Sequence, residues 1–353
     1  VTAPYLMAQG KLGRDGWAGR TGFLGGVRWE KTDNEADGWV RARVLSTAAQ
    51  QTADPVGSAS RDYANNRRQI DGSYTKAFPS VHAWHDWTAN LKTRLSWSTS
   101  FGRPAFGNLS PAETPNETQR SVTVNNPALL PQTARNWDAT LEYYFEPVGN
   151  LTVGWFHKEI RDYIVSGIES GTVGTGADNG YNGEYAGWTI LSSANAGTAV
   201  VQGWEFSYQQ QFTFLPGLLK GLGGMINYTL LDTHGNYGGT ARRGTGQIAG
   251  FVPRTANASV SWRYRGFSTR LLLNYAGEFL QSYATASARN VYRMERALYN
   301  LNLSYQLRPS LNVTLDVENL TNEPQRRYRG VVDNMEYFNY PGTTITVGFN
   351  GRF

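Results

Sequence analysis

In LYNLNLSYQLRPSLNVTLDVEN, Leu298–Asn319, apolar and polar residues alternate on either side of a tight turn. Tyr299, Leu301, Leu303, Tyr305 and Leu307 alternate with Asn300, Asn302, Ser304 and Gln306. After Arg308, Pro309 and Ser310, the same rhythm resumes in Leu311, Val313, Leu315 and Val317 against Asn312, Thr314, Asp316 and Glu318. It returns at the end of the chain, where Ile345, Val347, Phe349 and Phe353 alternate with Thr344, Thr346, Gly348, Asn350 and Arg352. A period of two sends one set of side chains to each face of a sheet. A soluble sandwich alternates too, but with shorter strands and a polar face in bulk water. Strands of about ten residues joined by turns fit a membrane barrel, apolar side to lipid and polar side to a wet lumen.

The composition agrees with that reading. The chain has 353 residues, 40% of them hydrophobic, with a mean hydropathy of -0.46. That mean is low for a membrane protein only if the spans are helices, because every second residue of a barrel strand avoids lipid. No apolar run reaches the length of a helical span, about 18 residues. The 39 glycines, 20 tyrosines and 11 tryptophans suit twisted strands with aromatic girdles. Cysteine is absent, which excludes disulfides, cysteine metal sites and cysteine nucleophiles. A net charge of +5 without a dense Lys/Arg cluster argues against nucleic acid as a partner. No basic and apolar leader precedes the first residues, so a signal peptide is expected to be removed or to lie upstream.

The pattern predicts thirteen strands, near Ala3–Leu12, Gly22–Thr32, Phe78–His85, Leu91–Ser100, Asn136–Phe145, Leu151–Glu159, Val201–Phe214, Leu222–Leu231, Ala256–Tyr264, Thr269–Gly277, Leu298–Leu307, Leu311–Asn319 and Thr343–Phe353. Short connections (Gly13–Arg20, Asp86–Asn90, Glu146–Asn150, Pro216–Gly221, Arg265–Gly266, Arg308–Ser310) alternate with long ones (Asp33–Ala77, Phe101–Arg135, Ile160–Val200, Asp232–Thr255, Glu278–Ala297, Leu320–Gly342). Six short against six long is the habit of an outer-membrane barrel with short periplasmic turns and long extracellular loops. Aromatics gather at the short-turn end, as Trp87, Phe145, Phe214, Tyr264, Tyr305 and Phe353. A closed antiparallel barrel needs an even strand count. Treating Gly38–Ser46 as a separate strand would break the alternation of loops, so the odd count points instead to strands upstream of Val1. The fold expected is all-β, an antiparallel transmembrane barrel of which this chain is the C-terminal portion.

Several stretches resemble one family. ENLTNEP (Glu318–Pro324), an aromatic-rich loop and YPGTTITVGFNGRF (Tyr340–Phe353) resemble the C-terminus of TonB-dependent outer-membrane receptors. GGVRWEKT (Gly25–Thr32), FPSVHAWHDWTANLKTRLSWSTSFGRPAFGNLSP (Phe78–Pro111), NNPALLP (Asn125–Pro131), YYFEPVGNLTVGWFHKEIRDYI (Tyr143–Ile164) and VQGWEFSYQQ (Val201–Gln210) are similar to that family, nearest its proteobacterial oligomer-uptake branch. The resemblance implies a 22-stranded barrel filled by an N-terminal plug, with residues 1–353 as its C-terminal part and the plug and first strands absent from this chain. It implies active uptake of a scarce nutrient across the bacterial outer membrane, the branch pointing to an oligosaccharide, with siderophore or haem as alternatives. The implied partners are the lipid bilayer and lipopolysaccharide, the TonB complex acting through the plug, and the barrel-insertion machinery. No cofactor is expected, because the energy comes from the inner membrane. A passive diffusion pore and a barrel hydrolase are the competing readings.

Few constellations carry chemistry. His82 and His85 stand three apart in a strand, on opposite faces, and cannot share a metal. Phe101–Pro104 (FGRP) and Asn126–Leu129 (NPAL) resemble paired motifs of haem receptors, but no histidine lies between Trp87 and Phe156 to ligate iron. Gly221–Gly224 and Gly171–Gly176 lack the Gly-Lys-Ser/Thr of a phosphate loop. No spacing supports a catalytic site. The long loops are rich in aromatics beside amides and charges, which suits sugars and other polar oligomers or, equally, loop-to-loop packing. The candidate ligand residues are Arg103, Tyr181, Tyr185, Trp188, Tyr283, Tyr292, Arg326, Tyr328 and Tyr337. Phe353 resembles the terminal aromatic read as an assembly signal. Deleting Phe353 is therefore expected to lower the membrane-inserted amount while soluble expression stays the same. An unchanged heat-modifiable band on gels would reject this role.

Overall fold

The computed structural model describes residues 1–39, 46–63, 67–146, 148–181, 183–236, 246–284 and 287–351. Thirteen strands form one continuous antiparallel sheet in sequence order. They are β1 Tyr5–Lys11, β2 Thr21–Trp39, β3 Arg67–Asp86, β4 Leu91–Gly102, β5 Gln132–Phe145, β6 Gly149–Arg161, β7 Thr198–Gln211, β8 Leu222–Asn236, β9 Arg254–Tyr264, β10 Phe267–Ala276, β11 Arg296–Arg308, β12 Leu311–Glu318 and β13 Thr344–Gly351. Each of the thirteen coincides with an expected strand, and short turns alternate with long loops throughout. Among the described residues β1 bonds only to β2 and β13 only to β12, so the sheet is open. Phe353 lies outside the described residues.

Register makes the two faces. Residues paired across antiparallel strands share a face. One row runs Leu91, Tyr143, Leu151, Tyr208, Ile226, Ala258, Leu273 and Tyr299 over eight strands, without a polar residue other than tyrosine. The next row runs Lys92, Glu142, Thr152, Ser207, Asn227, Asn257, Asn274 and Leu298. Leu303, Leu315 and Val347 continue the apolar side at the C-terminal end. This apolar side has no protein against it: Leu95 is 60% exposed, Val260 57% and Phe349 70%. Bare aliphatic surface in a continuous belt over many strands is what lipid covers. The polar side closes its own hydrogen bonds, as in Arg94 with Glu142 at 2.7 Å and Asn302 donating to Asp316 at 2.6 Å.

The structure corrects the sequence reading in three places. The loop expected over Asp33–Ala77 is strand at both its ends. β2 and β3 pair without interruption from Thr21↔His85 to Trp39↔Arg67. At about 3.3 Å per residue this hairpin is about 60 Å long, roughly twice the hydrocarbon thickness, so its far half stands in water. That half carries charge on both faces, Lys31 with Asp33 at 3.4 Å and Arg67 with Asp37 at 3.1 Å on the side continuous with Val27 and Trp29, and Arg68 on the other, which erased the apolar alternation used to find strands. The strand expected to reach Phe214 stops at Gln211, and Phe212–Phe214 turn toward a 3-10 helix, Gly217–Gly221. Two helices, Ala48–Ala53 and Pro55–Tyr63, follow β2, the first started by a capping box of Thr47 and Gln50. On β2, Gly22 faces Trp84 of β3, and any side chain there would overlap the indole ring.

At the bilayer midplane Leu315→Arg is expected to cost about 2–4 kcal/mol. Thr314→Arg, on the wet face, should cost much less. Unfolding titrations in lipid compare the two, and equal penalties would show the register to be wrong.

Candidate functional site

The long loops are not loose. They build two small sheets above the strand ends. In the first, Glu113–Asn116, Ser121–Val124, Thr189–Asn195 and Ile164–Thr172 lie side by side in that order, the middle pair parallel. Val122, Val173 and Tyr181 are its buried centre, and Tyr185 and Trp188 pack on them. Tyr185 stands 5.6 Å from Tyr181 edge to face and 4.6 Å from Trp188. Tyr185 sits at φ 55, between Gly183 and Gly187 at φ 76 each, and Asn179 ties the turn by accepting from the Tyr181 and Gly183 amides. The three aromatic candidates of this loop therefore form one cluster, engaged with one another.

The second sheet joins Phe279–Ser282, Val291–Arg293, Gln325–Arg329 and Met335–Asn339. Tyr292 and Tyr328 are register partners whose rings stack at 5.2 Å and 13°. The Tyr328 hydroxyl donates to Glu278 at 2.9 Å, and burial together with this carboxylate pushes its pKa well above the usual tyrosine range. Tyr283 donates to the Gln247 carbonyl at 2.6 Å. Arg327 lies over the Tyr337 ring at 4.8 Å, and Arg326 is 3.7 Å from Glu323. Five candidates thus share this sheet and its margin.

Arg103 belongs to a third place. Arg28, Glu30 and Thr32 alternate on the polar face of β2. Glu30, buried beneath them, accepts from Arg28 at 2.5 Å, from Thr32 at 3.3 Å and from Arg103. Each guanidinium also covers a ring, Arg28 over Phe78 at 5.1 Å and Arg103 over Phe101 at 4.9 Å. Those two rings stack on each other at 4.6 Å and 12°. One carboxylate under two arginines leaves a single surplus positive charge. The alternation in GGVRWEKT placed Arg28 and Glu30 on one face, but nothing in the sequence linked Glu30 to Arg103.

Above this assembly lies a cavity of about 430 Å³ between the β2–β3 hairpin and the loop after β4. Thr32, Tyr74 and Arg103 line one part, and Phe106, Leu109, Leu129 and Leu130 make the rest mainly apolar. The FGRP and NPAL segments therefore meet at one site. Asn126 bonds the Ser193 carbonyl at 2.9 Å and Asn195 bonds Leu130 in both directions, which anchors the cavity wall to the first loop sheet. The size falls in the range of ligand pockets, about 300–1,000 Å³. His82 lies on the polar face bonded to Ser96 at 2.9 Å, while His85 is on the opposite face with Thr21 at 2.7 Å. Among the described residues no group of three or more His, Asp or Glu could hold a metal ion.

Glu30→Gln removes the charge that holds both arginines. Its expected cost is about 1–3 kcal/mol, below the full penalty of a broken buried pair because both guanidiniums still reach water. Denaturant unfolding in detergent micelles measures it, and a neutral result would mean that the assembly contributes nothing to stability.

A profile of the family described as TonB dependent receptor-like, beta-barrel matches residues 2–320. No curated protein sequence matches the chain. Solved structures do. The ferric-catecholate import receptor Fiu from K12 E. coli superposes with a TM-score of 0.68 at 16% identity, over 99% of this chain and 44% of that one. The ferric enterobactin receptor of Pseudomonas aeruginosa, as a mutant in complex with enterobactin, gives 0.64 at 16% identity, over 99% and 54%. The hemophore receptor HasR of Serratia marcescens, solved with its hemophore and heme, gives 0.59 at 14% identity, over 99% and 51%. The chain therefore spans about half the length of the solved receptors it matches. With the family profile covering most of its residues, this chain belongs to the TonB-dependent receptor β-barrel family of the bacterial outer membrane.

Proposed function

We infer that the chain is the C-terminal part of a 22-stranded receptor whose plug and first strands come from elsewhere in the protein. The receptor captures a scarce nutrient at its loop end and takes it up under TonB control. The odd count of strands, the open edges of β1 and β13, and the length of the solved relatives support the first statement. The observation that carries the second is the cavity at the long-loop end, on the polar side of a sheet whose other side is bare hydrocarbon surface. Its apolar lining around a single surplus positive charge suits an amphiphilic ligand with rings and an anionic group. The solved relatives are named for ferric catecholates, enterobactin and heme, ligands of that general kind. An oligosaccharide is the second reading. The flat rings of Tyr337, Phe338 and Tyr340 are exposed at the outer sheet and offer faces for sugars.

The full-length protein, expressed in a Gram-negative host, should support uptake of a ferric catecholate or heme that collapses when TonB is absent and weakens in Arg103→Ala. Oligosaccharide uptake lost instead in Tyr337→Ala would select the second reading. Diffusion of both solutes independent of TonB would identify a passive pore.

A further inference from the structure

At the short-turn end of the sheet the charge is one-sided. The turns after β1, β3 and β5 carry or abut carboxylates, Asp15, Asp86 and Glu146. The three turns that follow, residues 212–221, 265–266 and 309–310, hold none. Lys220, Arg265 and Arg308 stand in or beside them, and all three are exposed. These turns are neighbours. A side chain at Gly221 would overlap the Arg263 carbonyl, and the Gly266 carbonyl accepts from the Gln306 amide at 2.8 Å.

The same edge is aromatic and aliphatic on its lipid side. Tyr264, Phe267, Tyr305, Val313 and Phe349 make one row across β9 to β13, at the level of a girdle. The turn after β7 folds toward that side. Trp262 is the register partner of Leu222, and its indole N–H donates to the Leu218 carbonyl at 2.9 Å. The 3-10 helix Gly217–Gly221 thereby presents Leu218, 53% exposed, and Leu219, 48% exposed, with Lys220 beside them. Exposed leucines next to a lysine suit a segment seated in the membrane interface, with the ammonium reaching the headgroups. Arg265 is held at φ 52, a left-handed conformation that favours glycine, and its guanidinium lies over the Tyr264 ring at 5.2 Å.

Deeper on the apolar side lies a groove of about 310 Å³. Gly224 and Ala258 are its low points, and Ile226, Val260 and Leu271 stand around them. The Phe212 ring occupies the place that a side chain at Gly224 would take. Along β9, Val260 and Ala258 are about 13–20 Å from Tyr264. A tilt of about 35–45° reduces this to about 10–15 Å of depth, within one leaflet.

We propose that this sector of the barrel holds an anionic phospholipid of the periplasmic leaflet, with an acyl chain in the groove and the phosphate at the level of Lys220, Arg265 and Arg308. Charge complementarity identifies the occupant. A basic rim without carboxylates beside an apolar groove matches a negative headgroup on a hydrocarbon chain. The site lies at the opposite end of the strands from the loop cavity and does not depend on what the receptor takes up.

The full-length protein, stripped of lipid in detergent micelles, should bind phosphatidylglycerol at least about tenfold more tightly than phosphatidylcholine with the same chains. Native mass spectrometry counts the bound lipid. The double variant Lys220→Gln, Arg265→Gln should bring the two lipids level, whereas Arg14→Gln, at the turn that holds Asp15, should keep the preference. Ala258→Leu, which fills the groove, should weaken both lipids alike. Equal affinities in the unaltered protein, or a preference that survives the double variant, would overturn the headgroup site. A preference lost equally in Arg14→Gln would show net charge alone at work and would overturn it too. Unchanged binding in Ala258→Leu would overturn the groove as the seat of the chain. Lys220, Arg265 and Arg14 are exposed, so the lipid-free unfolding temperature of these variants should match that of the unaltered protein.

Discussion

In hydrocarbon an unpaired N–H or C=O costs several kcal/mol, so a strand can cross a membrane only with a hydrogen-bonded neighbour on each side. The continuous sheet from β1 to β13 meets that condition at every internal strand. It fails only at its two edges. Everything else about the chain follows from keeping this ladder unbroken. Strand order equals sequence order, because each strand returns beside the one before it. The short turns are short because neighbouring strands need only a few residues to reverse.

The ladder also fixes chemistry, since pairing commits each residue to a face. The apolar rows can lie bare because lipid is their solvent, and the polar rows bond to one another across strands, as Arg94 does to Glu142. Where strands leave the bilayer, that constraint lapses. The far half of the β2–β3 hairpin carries charge on both sides and serves as a wall for the cavity, not as a membrane span. The two loop sheets take up the same device on a smaller scale. They hold tyrosines and arginines on paired strands beyond the ends of the membrane strands.

The membrane-spanning part was legible because lipid on one side and water on the other print a period of two into the sequence. Leu301 to Leu307 and Leu311 to Val317 show it most plainly, and the pairing of Leu303 with Leu315 follows. Outside the bilayer the print fades. Residues 33–39 and 67–77 are strand in the structure, yet their charges read as loop. The loop sheets join segments far apart in sequence, such as Val122 with Ile190 and Tyr292 with Tyr328, and no local pattern announces such pairs. The candidate residues were found by type, as aromatics and arginines in loops. Their grouping into a packed cluster, an arginine-rich sheet and the Glu30–Arg103 assembly depended on tertiary contacts. Glu30 itself, alternating with Arg28 and Thr32 on one face of a strand, was within reach of the sequence. Its partner Arg103, far along the chain, was not.

The central claim is that alternate residues of these strands meet lipid and a wet interior. These 353 residues contain no cysteine, so once any cysteine elsewhere in the protein is replaced by serine a single introduced cysteine carries a unique spin label. Labels placed in turn at residues 301 to 305 of β11, in the full-length protein in bilayers, report collision with oxygen, which concentrates in lipid, and with a water-soluble nickel chelate. The account predicts a period of two, with oxygen favoured at 301, 303 and 305 and nickel at 302 and 304. Uniform accessibility along the strand, or the opposite phase, would contradict it.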